Sequence, residues 1–196
     1  MLKRFALLVL LSLTAPALAA APAAKPRVAL QTSLGKIVIE LEAKRAPITS
    51  NNFLAYVDQK KLDGTRFYRS ANNRGAGFIQ GGIFHEYRRM LVPIKHEPTS
   101  LTGIKHLNGT ISMARDAPGT ANGDFFICVG TQSYMDAKPG KSDDAQGFAA
   151  FGHVVGGMDV VRKILAARTD KNMGSGPMRG QMLAKPVEII SATRVK

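Results

Sequence analysis

Phe67-Tyr68-Arg69 and Phe78-Ile79-Gln80-Gly81-Gly82 decide how this chain is read. Each is a short apolar run with aromatic residues that carries one polar side chain, an Arg in the first and a Gln in the second. Both read as short strands, and the paired glycines let the backbone turn or be approached closely. The segment between them, residues 70–77, reads as a loop. Working outward, residues 27–32 and 36–42 read as strands joined by the turn Ser33-Leu34-Gly35, the second alternating Ile37, Ile39 and Leu41 with Lys36, Val38 and Glu40. Residues 46–59 read as a helix with Pro47 in its first turn and Phe53, Tyr56 and Val57 as its apolar stripe. Further strands are expected at 110–114, 124–129, 148–154 and 187–195, and a second helix at 158–167. Residues 83–108 read as a polar loop, and residues 137–147, rich in Lys, Asp, Gly and Pro, as a surface loop. The pattern is mainly β with two helices, and closure of so many short strands into a barrel would remove their exposed edges.

The chain has 196 residues, of which 45% are hydrophobic, which suits one domain with its own core plus a processed segment. Lys3 and Arg4, the apolar run from Phe5 to Leu13 and the small-residue motif Ala17-Leu18-Ala19 read as a cleavable signal peptide over residues 1–19. That run is too short for an ordinary membrane-spanning helix, and no other stretch approaches spanning length. Residues 20–26 read as an Ala/Pro-rich tether, and 27–196 as the folded domain. Cys128, alone of its kind, lies in an apolar run and reads as a buried thiol without a disulfide partner. The formal charge of +13 falls to +11 once Lys3 and Arg4 leave with the leader. The basic residues are scattered rather than clustered or interleaved with aromatics, which argues against specific nucleic-acid binding.

Several enzyme classes find no support. Gly75, Gly77 and Gly81 resemble a dinucleotide loop, but Gln80 stands where a glycine is needed, and Gly174, Gly176 and Gly180 miss in the same way. His85, His96, His106 and His153 have no zinc-like spacing with one another or with Cys128. No nucleophile elbow is present, and no motif recommends a hydrolytic triad. Neither a metal nor another cofactor is implied.

Taken with Ile111-Ser112-Met113-Ala114-Arg115 and Phe125-Phe126-Ile127, the opening motifs resemble those of the cyclophilin family of peptidyl-prolyl cis-trans isomerases. Gln31 to Ile37, Asn52-Phe53 and Lys95-His96-Glu97 fit as well, so the resemblance covers nearly all of residues 28–195. It implies a closed eight-stranded antiparallel β-barrel capped by two α-helices. It also implies rotation about X-Pro bonds with no covalent intermediate. Arg69 matches the family's catalytic Arg, and Gln80 the Gln that orients it and binds substrate backbone. Phe126 matches the floor of the proline pocket. Phe125, its strand neighbour, is expected to face the core. Met113, Ala114 and Arg115 match the substrate-binding strand, Met135 a pocket-wall Leu, and Phe148 a frequent His.

Three departures stand out. The 70–77 loop is longer than usual, and Gly77 stands where the family has the first pocket Phe, with Phe78 as the candidate to refill the slot. Asp124 replaces a frequent Gln. Tyr134 replaces the Trp of cyclosporin-sensitive members. The expected protein is a monomeric prolyl isomerase exported to a bacterial periplasm, acting on proline-containing segments of unfolded or flexible proteins. Two alternatives are a proline-segment-binding chaperone with little turnover and a polyanion-binding protein using the positive charge.

Overall fold

Alternation of side chains along each strand builds a single closed sheet. The computed structural model describes residues 24–84, 86–140 and 142–195. Its strands are β1 (Arg27–Thr32), β2 (Gly35–Leu41), β3 (Thr65–Asn73), β4 (Ala76–Gly82), β5 (Thr110–Met113), β6 (Phe125–Val129), β7 (Ala149–Gly156), β8 (Thr169–Asp170) and β9 (Met182–Val195). Eight of them run in the order β1-β2-β7-β5-β6-β4-β3-β9, and β9 pairs back onto β1 to close an antiparallel barrel. The two-residue β8 pairs with β9 outside that ring. The helices are α1 (Pro47–Asp58), the single turn α2 (Thr99–Thr102) and α3 (Met158–Leu165). The mainly β barrel with its two principal helices is therefore as expected, with α2 as an additional turn inside the segment read as loop.

Inward positions fill the barrel. Leu30, Ile37, Ile39, Phe67, Ile79, Ile111, Phe125, Ile127 and Phe151 have no exposed surface. Phe53 of α1 meets Phe125 edge-on at 5.4 Å and Phe151 at 5.3 Å, so α1 plugs the aromatic end of this core. Asp58 of α1 pairs with Arg194, close to the Arg27 end of β1, while Val160 of α3 packs on Gly35 at the other end of the same hairpin. The two helices thus close opposite mouths. Ala46, at the start of α1, offers no side-chain cap. The buried Glu97 supplies one instead, accepting from Ile48 N at 3.1 Å and Thr49 N at 2.7 Å.

Two expectations are corrected. Residues 70–77 are not a loop: β3 and β4 pair continuously to Asn73↔Ala76 and are joined by Arg74-Gly75, both with positive φ (53° and 87°). That is the signature of a two-residue primed turn, whose twist matches the flanking strands. The final strand begins at Met182 rather than residue 187, and crosses Pro186 at a break in its pairing with β3. The signal-peptide region and most of the expected tether lie outside the described residues. The described end of the tether is held to the barrel: Lys25 pairs with Glu40 and Glu42, and Pro26 O accepts from Leu41 N.

Candidate active site

Regular alternation would put Phe67 and Arg69 on the same face of β3. A register shift between them changes this: Phe67 pairs with Gly81, and Arg69 pairs directly with Gln80. Tyr68 is the extra residue of a β-bulge, a device that re-aims the side chains that follow it. Phe67 therefore fills the core while Tyr68 and Arg69 both line the cleft on the outer face beside Gln80. Past the bulge Ser70 turns inward, bonded to Leu165 O of α3, and Ala71 pairs with Phe78 on the outer face.

Arg69 is held at both ends of its guanidinium. Nη1 donates to Gln80 Oε1 at 2.8 Å, while Nε and Nη2 donate to Gln181 Oε1 at 2.9 and 2.7 Å. Gln80 in turn donates from Nε2 to the Tyr68 hydroxyl at 2.7 Å, and Tyr68 stacks on Phe84 at 4.3 Å. The guanidinium carbon lies 4.9 Å from the Phe78 ring centre. Burial lowers the Arg69 pKa from its ordinary value, but among the described residues no carboxylate bonds to it. A guanidinium has five N–H donors. Three are used, which leaves one on Nη1 and one on Nη2.

Next to this cation is a second apolar cluster, separate from the barrel core. Phe78, Phe126, Cys128 and Met135 form it, with Ala71, Ala114 and Phe148 packed on its edge. Phe126 lies 5.4 Å from Phe78 and 5.3 Å, edge-on, from Phe148. Phe126 is buried and backs this cluster without lining the cleft, which Phe78, Met135, Phe148 and Ala114 line. The cleft encloses about 1620 Å³. Phe78 does face it, because Phe78 and Gln80 share a face and Ile79 points into the barrel. Gly77 cannot carry a pocket side chain: its φ is +136°, and a Cβ there would sit 1.9 Å from Ala71 O.

Two of the expected binding residues stand differently. Met113 is in the barrel core, paired with the inward Phe125, and does not line the cleft. Alternation on β5 turns Ile111 and Met113 inward and Ser112 outward. Arg115 lines the cleft, but its guanidinium donates to Gly147 O and Asp143 O and lies over the Phe148 ring at 5.1 Å. It braces the loop that presents Phe148.

Gln181 was not foreseen. It stands 112 positions from Arg69 and just ahead of a strand whose start the apolar pattern places later. Neither was the buried chain behind Phe126. His106 stacks on Phe126 at 5.8 Å; its Nδ1 lies 2.8 Å from Asp136 Oδ1 and its Nε2 3.0 Å from Ser112 Oγ. This Ser-His-Asp chain is no hydrolytic triad, since Ser112 and His106 have no exposed surface. Burial lowers the His106 pKa. Burial also pushes the Cys128 thiol up to about 12. Among the described residues no His, Cys, Asp and Glu side chains group to hold a metal ion.

The profile described as "Cyclophilin type peptidyl-prolyl cis-trans isomerase/CLD" matches residues 27–194. This chain belongs to the cyclophilin family. It is 37% identical over 172 residues to a peptidyl-prolyl cis-trans isomerase of Acinetobacter baylyi, covering 86% of this chain and 85% of that one. It is 36% identical over 196 residues to peptidyl-prolyl cis-trans isomerase A of Dickeya dadantii, covering 97% and 96%. The fold agrees with the crystal structure of a Cryptosporidium parvum cyclophilin at a TM-score of 0.69 and 20% identity, over 88% of this chain and 98% of that one. The protein is a cyclophilin-type peptidyl-prolyl cis-trans isomerase. Within that frame its own features are the turn Arg74-Gly75, the side-chain-free Gly77, the carboxyl of Asp124 and the half-exposed Tyr134, which also lines the cleft.

Proposed function

We propose that this cyclophilin rotates X-Pro bonds in unfolded or flexible exported proteins by non-covalent stabilisation of the twisted amide. The uncatalysed barrier is about 18–20 kcal/mol, set by amide resonance. At the twisted transition state that resonance is lost, and charge no longer delocalises between nitrogen and carbonyl. A donor placed for the twisted state lowers the barrier, and about 6 kcal/mol corresponds to about 10⁴ in rate. The observation that carries this reading is the guanidinium of Arg69, fixed at Nε, Nη1 and Nη2 with two donors left, beside the slot lined by Phe78, Met135 and Phe148 and backed by Phe126. The proline ring occupies that slot against Phe78, Met135 and Phe148. The free Arg69 donors meet the substrate amide, Gln80 orients them, Ala114 contacts the substrate backbone, and Arg115 braces the loop that presents Phe148. No proton or covalent bond changes hands.

The same reading has the protein working as a monomer in a bacterial periplasm, after loss of residues 1–19. N-terminal sequencing of the exported protein tests the cleavage site. For the chemistry, a protease-coupled assay on an Ala-Pro-containing peptide compares the mature protein with Arg69→Ala. The reading expects a large loss. Equal rates in the two would leave the cleft as a site that binds proline segments without catalysing their rotation.

A further inference from the structure

We propose that Gln181 is a positioning residue for isomerisation, locking the plane of the Arg69 guanidinium from the β9 side of β3, across from Gln80 on β4, while leaving its charge intact. This rests on the reading of Arg69 given above. A single hydrogen bond, from Nη1 to Gln80 Oε1, fixes one point of the guanidinium and leaves the group free to swing about that contact. The second anchor removes the swing, because Nε and Nη2 converge on one oxygen of Gln181 at 2.9 and 2.7 Å. Between the two anchors the orientation of the remaining donors is set before substrate arrives, which is what electrostatic preorganisation requires.

The choice of an amide has a chemical reason. A carboxylate in this place would hold the same edge of the guanidinium more strongly. It would also neutralise the positive charge that the twisted amide is to feel. Both anchors of Arg69 are neutral amide oxygens.

The fold delivers Gln181 independently of its side chain. Its carbonyl accepts from Ser70 N at 2.9 Å, and its own N–H donates to Met178 O at 3.0 Å. The next residue, Met182, pairs with Arg69 on one side and Asp170 of β8 on the other. Removing the side chain therefore leaves the backbone of this wall in place.

The test is a double-mutant cycle on the mature protein, with rates at saturating peptide from NMR line shapes. Gln181→Ala is expected to lower kcat roughly tenfold or more, as misplacement of a catalytic group does. KM should stay within about twofold, and the Arg69 Nε–Hε signal should broaden or exchange faster. In an Arg69→Ala background the same substitution should cost nothing further. Gln181→Glu should keep a sharp Nε–Hε signal and still lose kcat. Wild-type kcat in Gln181→Ala, or the same fractional loss in the Arg69→Ala background, overturns the positioning role and leaves the isomerase reading standing. An Arg69→Ala protein with full activity overturns the role assigned to Arg69, and that of Gln181 with it.

Discussion

Arg69 and Gln80 face each other directly across β3 and β4, joined by a 2.8 Å hydrogen bond, because Tyr68, ahead of the Arg, is bulged out of the ladder and takes no partner on β4. From this pairing follows the expected behaviour of the cation. Arg69→Ala should lower kcat/KM by roughly 10² to 10³, the loss typical of a preorganised electrostatic donor. Arg69→Lys should recover little of it, since an ammonium cannot span Gln80 and Gln181 as the planar fork does. Circular dichroism should show both variants folded.

The slot depends on Phe78 as the substitute for an aromatic that Gly77 cannot supply. Phe78→Ala should raise KM for proline peptides several-fold and shift the melting temperature only modestly, because Phe78 lies outside the barrel core. Gly77→Ala should behave in the opposite way, destabilising by more than about 1 kcal/mol through backbone strain and the clash with Ala71 O. Denaturant melts of the two variants, set beside their kinetics, separate pocket chemistry from hairpin geometry.

Asp124 gives a pH signature of stability. The backbone N–H groups of Ile83 and Phe84 favour its charged form, yet among the described residues Oδ1 is buried without a hydrogen-bond partner, and burial raises its pKa from 3.8 to about 7, with Asp116 adding to the rise. Between those values the folded chain keeps a proton that the unfolded chain has released, so stability is present below the window and is lost as pH rises through it. Asp124→Asn should therefore raise the melting temperature at about pH 8.5 and have a much smaller effect at about pH 4.

His106 acts in the other direction. Its pKa is lowered by burial, so the neutral ring stabilises the fold above the ordinary value of 6.5, and that contribution is lost as pH falls below it. His106→Ala should strand the buried Ser112 hydroxyl, leave Asp136 with only the backbone N–H of residue 106 and Lys105, and remove the ring stacked behind Phe126. A loss of at least about 2 kcal/mol is expected. An unchanged melting temperature would count against this network as a support of the slot.

Tyr134 lines the cleft and is 59% exposed, at the position where the motif resemblance implies the Trp of cyclosporin-sensitive members. Cyclosporin should inhibit poorly, and Tyr134→Trp should tighten the inhibition constant. Titration of both proteins in the isomerase assay checks this.

The barrel was legible because its strands alternate: Ile37, Ile39 and Leu41 announce an inward face, as do Phe125 and Ile127. Arg69, Gln80 and Phe126 were legible because they sit in short motifs whose order matches a family. What escaped were features that strand patterns do not encode. Ser70 to Asn73 and Ala76-Gly77 lack the β-branched residues that mark a strand, and an Arg-Gly turn is a weak signal beside Asn-Gly, so a regular hairpin looked like a loop. Met113 was placed in the slot because its motif neighbours are there, while its own position on β5 points it inward. Gln181 is brought to Arg69 by tertiary pairing alone.

The bulge at Tyr68 also makes the active face a matter of counting. Draw Tyr68 into regular pairing, so that each residue from Phe67 to Arg69 takes its own partner on β4, and strict alternation would send the guanidinium into an aromatic interior with no partner for its charge. Chemical identity at Arg69 would be preserved, yet the address would change. Grafts and alignments of this hairpin must therefore match the pairing against β4 as strictly as residue type: a strand shortened by Tyr68 keeps Arg69 opposite Gln80 and loses only the hydroxyl to which Gln80 donates, whereas one that pairs Tyr68 regularly should fail to fold before it fails to catalyse.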